Sequence, residues 1–135
     1  MKFILTAILV SIASSINAQS IDLSNSEVEQ FLCKKWSVEY MEVQGMKVEP
    51  KSTNAFDFSF QKDGVYNLLP LDSGPRPKMH WNYSEKSKSI QLYETDRLMG
   101  KIIVLENDRM VILFEKNEEM PFENMKGYFK PTSIN

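Results

Sequence analysis

FDFSFQKDGVYNLL, residues 56–69, alternates Phe56, Phe58 and Phe60 with Asp57, Ser59 and Gln61, breaks at Lys62-Asp63-Gly64, and resumes with Tyr66 and Leu68. Side chains two apart on a strand share a face, so each half of this stretch has an apolar side and a polar one. The break is a tight hairpin turn in which Gly64 takes the position that needs positive φ. Two antiparallel strands are therefore predicted, with their rings on one side and a core under them.

The same period extends in both directions. Upstream, Trp36, Val38 and Tyr40 alternate with Ser37 and Glu39; downstream, strands are predicted at about 78–84, 88–94, 99–106, 109–116 and 126–131. Turns fall at Glu85-Lys86-Ser87 and Asn107-Asp108. Many short strands without a βαβ rhythm point to an antiparallel barrel or sandwich. A single helix over 26–34 is predicted from Ser26-Glu27-Val28-Glu29, a capping-box arrangement, and from Val28, Phe31 and Leu32 at helical spacing.

Connection lengths choose between barrel and sandwich. The first, third and seventh connections (44–54, 70–77, 117–125) are long, the second, fourth and sixth (62–64, 85–87, 107–108) are tight, and the fifth (95–98) is intermediate. In a meander, odd and even connections lie at opposite ends, so the body has one closed end and one open mouth. The expected fold is all-β: an antiparallel up-and-down β-barrel of about eight strands, with one short N-terminal helix capping the closed end.

The chain begins with a charge at Lys2, an apolar run from Phe3 to Ala13 and small residues up to Ala18, the pattern of a secretory signal peptide. The run is shorter than the roughly 20 apolar residues that span a bilayer. Residues 1–18 are thus expected to be a signal peptide and 19–135 a single barrel domain, exported to the periplasm or secreted, with no stable membrane insertion after cleavage. Lys2 leaves with the signal, and 15 basic residues then face 18 acidic ones. Such near balance, without a basic cluster, excludes nucleic acid from the expected partners. One cysteine, Cys33, allows no intrachain disulfide and reads as a small apolar residue beside Phe31 and Leu32.

The stretch Lys78-Met79-His80-Trp81-Asn82-Tyr83 contains the only histidine. Thioether, imidazole and indole together suit a soft metal, but consecutive strand residues diverge: Met79, Trp81 and Tyr83 face the core while Lys78, His80 and Asn82 face out. No Gly-x-Ser-x-Gly elbow presents a serine to His80. The chain is expected to be no enzyme, with no metal and no cofactor.

What remains is the inner wall, which includes Trp36, Val38, Tyr40, Ile102, Val104, Met110, Ile112 and Phe114. Its candidate ligand-binding residues are Tyr40, Phe58, Tyr66, Leu68, Met79, Trp81 and Tyr83, an apolar lining with hydroxyls to orient a guest. The other reading is that these side chains simply fill the barrel, since eight strands leave room for side chains or one small ligand.

Three elements resemble the short bacterial lipocalin-like proteins: Lys34-Lys35-Trp36 opening the first strand after a small helix, Phe58-Ser59-Phe60-Gln61-Lys62-Asp63-Gly64-Val65-Tyr66 at the first hairpin, and Trp81-Asn82-Tyr83 on a middle strand. The chain departs from that family where Lys34 stands in place of the glycine of its Gly-x-Trp. It also has only Asn107-Asp108-Arg109 in place of a Thr-Asp-Tyr-like turn, and only Lys130 to replace the late arginine that covers the Trp. The resemblance implies a barrel that binds a small apolar molecule. A second expectation, from another class, is a filled barrel that meets a protein partner with its outside, as an envelope interaction or inhibitor module. Its support is the outward set Ile103, Leu105, Val111 and Leu113, which needs cover.

Overall fold

The structure, a computed structural model, describes residues 20–50, 57–69, 78–118 and 121–132. The expected signal peptide, Phe56, Glu119 and the connection 70–77 lie outside them.

A helix α1 (Asn25–Leu32) precedes nine strands: β1 (Lys35–Val43), β2 (Met46–Val48), β3 (Asp57–Phe60), β4 (Tyr66–Leu69), β5 (Met79–Ser84), β6 (Ser89–Glu94), β7 (Arg97–Leu105), β8 (Met110–Phe114) and β9 (Met125–Pro131). All pairings are antiparallel, in the order β4-β3-β1-β9-β8-β7-β6-β5. Eight strands make a nearly closed barrel. The ninth, β2, is a short extra strand folded back on the far end of β1 by Gln44 and Gly45, both at positive φ (53° and 78°), the requirement of a two-residue hairpin of the primed type. Between β4 and β5 the closure is thin: an isolated bridge, Val65 to His80, and a bond from the Trp81 amide to the Gly64 carbonyl at 2.8 Å.

The helix cap lies two residues before its expected place. Ser24, not Ser26, is the N-cap: its hydroxyl accepts from the Glu27 amide at 3.2 Å, and the Glu27 carboxylate accepts from the Ser24 amide at 3.0 Å. Both serines have a glutamate three residues on, and the apolar neighbours decide. A cap at Ser24 sets Leu23 and Val28 in the staple positions on either side of it, whereas Ser26 would set Asn25 and Gln30 there. Val28 and Leu32 are then buried one turn apart.

The N-terminal segment and α1 cover the closed end. Ile21 donates to the Lys88 carbonyl (2.8 Å), the Phe60 amide to the Lys34 carbonyl (3.1 Å), and Asp22 pairs with Lys88 at 2.7 Å. Lys34 reaches the Asn107 carbonyl and side-chain oxygen at 2.9 and 3.1 Å and sits over the Trp36 ring at 5.3 Å. Lys34, rather than the expected Lys130, is the cation that covers Trp36; Lys130 is exposed on β9. Trp36 itself is fully buried and donates its indole N–H to the Leu32 carbonyl at 2.9 Å.

Extra residues shift the register at three places, Glu39 in β1 and Met99 and Ile103 in β7, and those at Glu39 and Ile103 overturn an expected side. Glu39 is a bulge in β1, because Val38 pairs with Phe129 while Tyr40 pairs with Tyr128. A one-residue insertion turns every later side chain to the opposite face. Tyr40 therefore stands on the outside and Met41 packs against the core. Ile103 does the same in β7: Ile102 pairs with Ile112 and Val104 with Val111, so Val104 turns out and Leu105 turns in. The connection after β6 is a two-residue turn, Thr95-Asp96, and not of intermediate length.

Candidate functional site

The barrel interior is closely filled. Phe58, Phe60, Tyr66 and Phe129 form a ring cluster, with Phe58 centroids 5.6, 5.8 and 5.2 Å from those of Phe60, Tyr66 and Phe129. Trp36, Ile90, Leu92, Ile102, Met110 and Ile112 surround it with 1% exposure or less. Gly127 belongs to this packing, since a methyl there would come within 2.7 Å of the Phe129 ring and 3.0 Å of the Phe114 ring.

The predicted ligand residues divide accordingly. Phe58, Tyr66 and Met79 are buried core, and Leu68 is half-buried against the core. Tyr66 donates its hydroxyl to the Tyr93 carbonyl at 3.2 Å, a tie from β4 to β6. Burial, and to a lesser degree the Glu94 carboxylate, push its phenol well above the ordinary range, so it remains a donor. Tyr83 donates to the carbonyls of Leu23 and Ile21 (3.1 Å to Ile21), fastening the N-terminal segment. Tyr40 stacks outside on Tyr128 at 4.4 Å under Lys47, whose ammonium is 4.7 Å from its ring. Trp81 alone of the seven reaches an open cavity. It sits at the β4–β5 seam, half-buried, and donates its indole N–H to the Gln61 carbonyl at 2.9 Å.

That cavity is an open groove of about 660 Å³ on the outer face, lined by the Asp63-Gly64-Val65 turn, Lys78, His80, Trp81, Asn82, Tyr93, Thr95 and Asp96. Local structure explains its shape. Gly64 at φ 87° turns the first hairpin sharply, and Thr95 at φ 56° turns the hairpin after β6. The Thr95 amide is held by the Lys78 carbonyl at 2.7 Å. Between these turns, register partners His80 and Tyr93 stack their rings at 5.1 Å and 13°. The outward direction of His80 follows from the alternation; its pairing with Tyr93 needed the strand register.

His80 Nδ1 is shielded from solvent and has no hydrogen-bond partner. The other polar groups of the groove, Lys78, Asn82, Thr95 and Asp96, make no side-chain hydrogen bond or ion pair among the described residues. Asp63 uses one oxygen for the Val65 amide at 3.1 Å.

Among the described residues no cluster of three His, Cys, Asp or Glu side chains can hold a metal ion. Cys33 is half-buried, and burial followed by the Glu29 carboxylate pushes its thiol up, away from the thiolate. No helix among the described residues is long and apolar enough to cross a membrane.

The outward apolar set also differs from expectation. Leu105 belongs to the core, Ile103 and Val111 are buried, and Leu113 is half-buried. The Ser20–Leu23 segment runs beside Ile103. The large apolar side chains that are exposed lie elsewhere: Met46 (70%) and Val48 (46%) on the β1–β2 hairpin and Phe122 (42%) beyond β8.

In comparisons with family models, curated proteins and solved structures, nothing matches the chain.

Proposed function

We propose that this chain is an exported lipocalin-like barrel that binds a small molecule non-covalently, with no chemical step, and that the guest sits in the outer groove at His80, Trp81 and Tyr93. The observation that carries this seat is the filled interior: a guest among Phe58, Phe60, Tyr66 and Phe129 would have to displace packed rings, at a cost of several kcal/mol for each side chain moved out. The groove offers about 660 Å³ without displacing anything, within the span of small-molecule sites. Export is an expectation from Met1–Ala18.

Native mass spectrometry tests the reading. After incubation with a metabolite extract, the chain is expected to carry a discrete added mass that is reduced in a His80→Ala, Tyr93→Ala variant. Apoprotein alone would refute it, and an adduct unaffected by the double variant would move the guest out of the groove.

The second reading, an envelope protein-interaction module, is favoured by one observation, the exposed apolar lip of Met46, Val48 and Phe122. A Met46→Ser, Val48→Ser pair that abolished recovery of a stoichiometric protein from envelope extract would favour this reading over the first.

A further inference from the structure

Resting on the groove as the guest's seat, we propose that it is a saccharide-binding site, taking a short neutral oligosaccharide with a ring face on the stacked His80–Tyr93 pair.

Three features of the groove select this chemistry. The wall carries an aromatic pair, His80 stacked on Tyr93 at 5.1 Å and 13°; aromatic faces attract polarised C–H groups, which a pyranose ring presents on one side. The border carries both hydrogen-bonding senses, with side-chain groups that have no partner among the described residues. Lys78 and the Asn82 amide donate, Asp96, the second oxygen of Asp63 and the Asn82 carbonyl accept, and Thr95 does either. Sugar hydroxyls also donate and accept, so they can answer all of them. A purely apolar guest would strip water from these groups and return no hydrogen bond.

Charge narrows the class further. Among the described lining residues one cation, Lys78, stands with two carboxylates, Asp63 and Asp96, a balance that gives phosphorylated or carboxylated guests no net attraction. The groove is open along its outer side, which lets a chain of sugar rings continue past the stacked pair.

The test is a two-dimensional amide spectrum of the ¹⁵N-labelled full chain, titrated separately with the β-1,4 trimer of glucose, the β-1,4 trimer of N-acetylglucosamine, and the apolar dye anilinonaphthalene sulfonate. Two indole signals serve as internal reporters, because Trp81 borders the groove while Trp36 is buried at the closed end. One of the two sugars is expected to shift the Trp81 indole and the amides of Gly64, His80, Tyr93 and Thr95 while leaving the Trp36 indole in place. Tyr93→Ala is expected to weaken that sugar by about tenfold, the scale of one lost ring face. Asp96→Ala, at an exposed position whose side chain makes no bond among the described residues, should weaken it as well and guards against misfolding of the first variant. If the dye shifts these signals and neither sugar does, the groove remains the seat and the saccharide assignment is wrong. If none of the three shifts them, the groove and the saccharide both fall. Sugar shifts that survive both substitutions would also overturn the assignment.

Discussion

At Tyr66 one hydroxyl shows how a single atom serves the barrel. Its ring fills the interior against Phe58 and Phe60, and its O–H crosses beneath β5 to the Tyr93 carbonyl. Tyr66→Phe keeps the ring and deletes the bond, leaving a buried carbonyl short of one donor, so a loss of about 1 kcal/mol is expected in urea unfolding at neutral pH. The difference shrinks at alkaline pH. The folded phenol is raised above its ordinary 10.0, so its protonated form contributes stability below that value, and the contribution is lost as pH rises through the folded pKa. The variant should therefore lose less stability than the parent between neutral pH and pH above about 10. Unfolding curves at the two pH values check both signs. His80 and Lys34 carry the other lesson of this scale. The face of His80 was legible from alternation, but its stacking on Tyr93 was not, and Lys34 covers Trp36 from the position where the family resemblance called for glycine.

Among the elements, α1 and β1 separate what pattern alone can decide from what it cannot. Two Ser-x-x-Glu signatures overlap in Ser24–Glu29, and the one flanked by apolar residues on both sides forms the cap. Ser24→Ala should cost about 1 kcal/mol, the usual worth of an N-cap, whereas Ser26→Ala should stay within about 0.5 kcal/mol. Thermal or urea unfolding of the two variants measures the contrast, and equal losses would contradict the cap assignment. In β1 and β7, strict alternation predicted Tyr40 and Val104 inside; the bulges at Glu39 and Ile103 put both outside. A bulge inserts one residue against an uninterrupted partner strand, so it exists only in the pairing and leaves no mark in the composition of its own strand.

For the whole molecule, the weakest part of the closure is the β4–β5 seam. The β1–β9 pair carries six partnered positions, while among the described residues the seam holds one bridge, Val65 to His80, and the bond from Trp81 to Gly64. Regions with fewer bonds and contacts open at lower free energy. In native-state hydrogen exchange, the Trp81 amide should exchange faster than hydrogen-bonded amides of the β1–β9 ladder. Protection of Trp81 equal to that ladder would show that the side-chain ties, Tyr66 to Tyr93 and Trp81 to Gln61, close the seam fully.

The sequence by itself determined the all-β class, the eight-strand meander, the first hairpin at Gly64, the helix and the outward direction of His80. Each of these depends on local period or turn chemistry, which neighbouring residues specify. Only the tertiary structure decided which rings fill the interior, where the bulges fall, which cation covers Trp36 and where open space remains. Those outcomes depend on the register between strands that are far apart in the chain, and on whether side chains of given volumes meet or leave a gap.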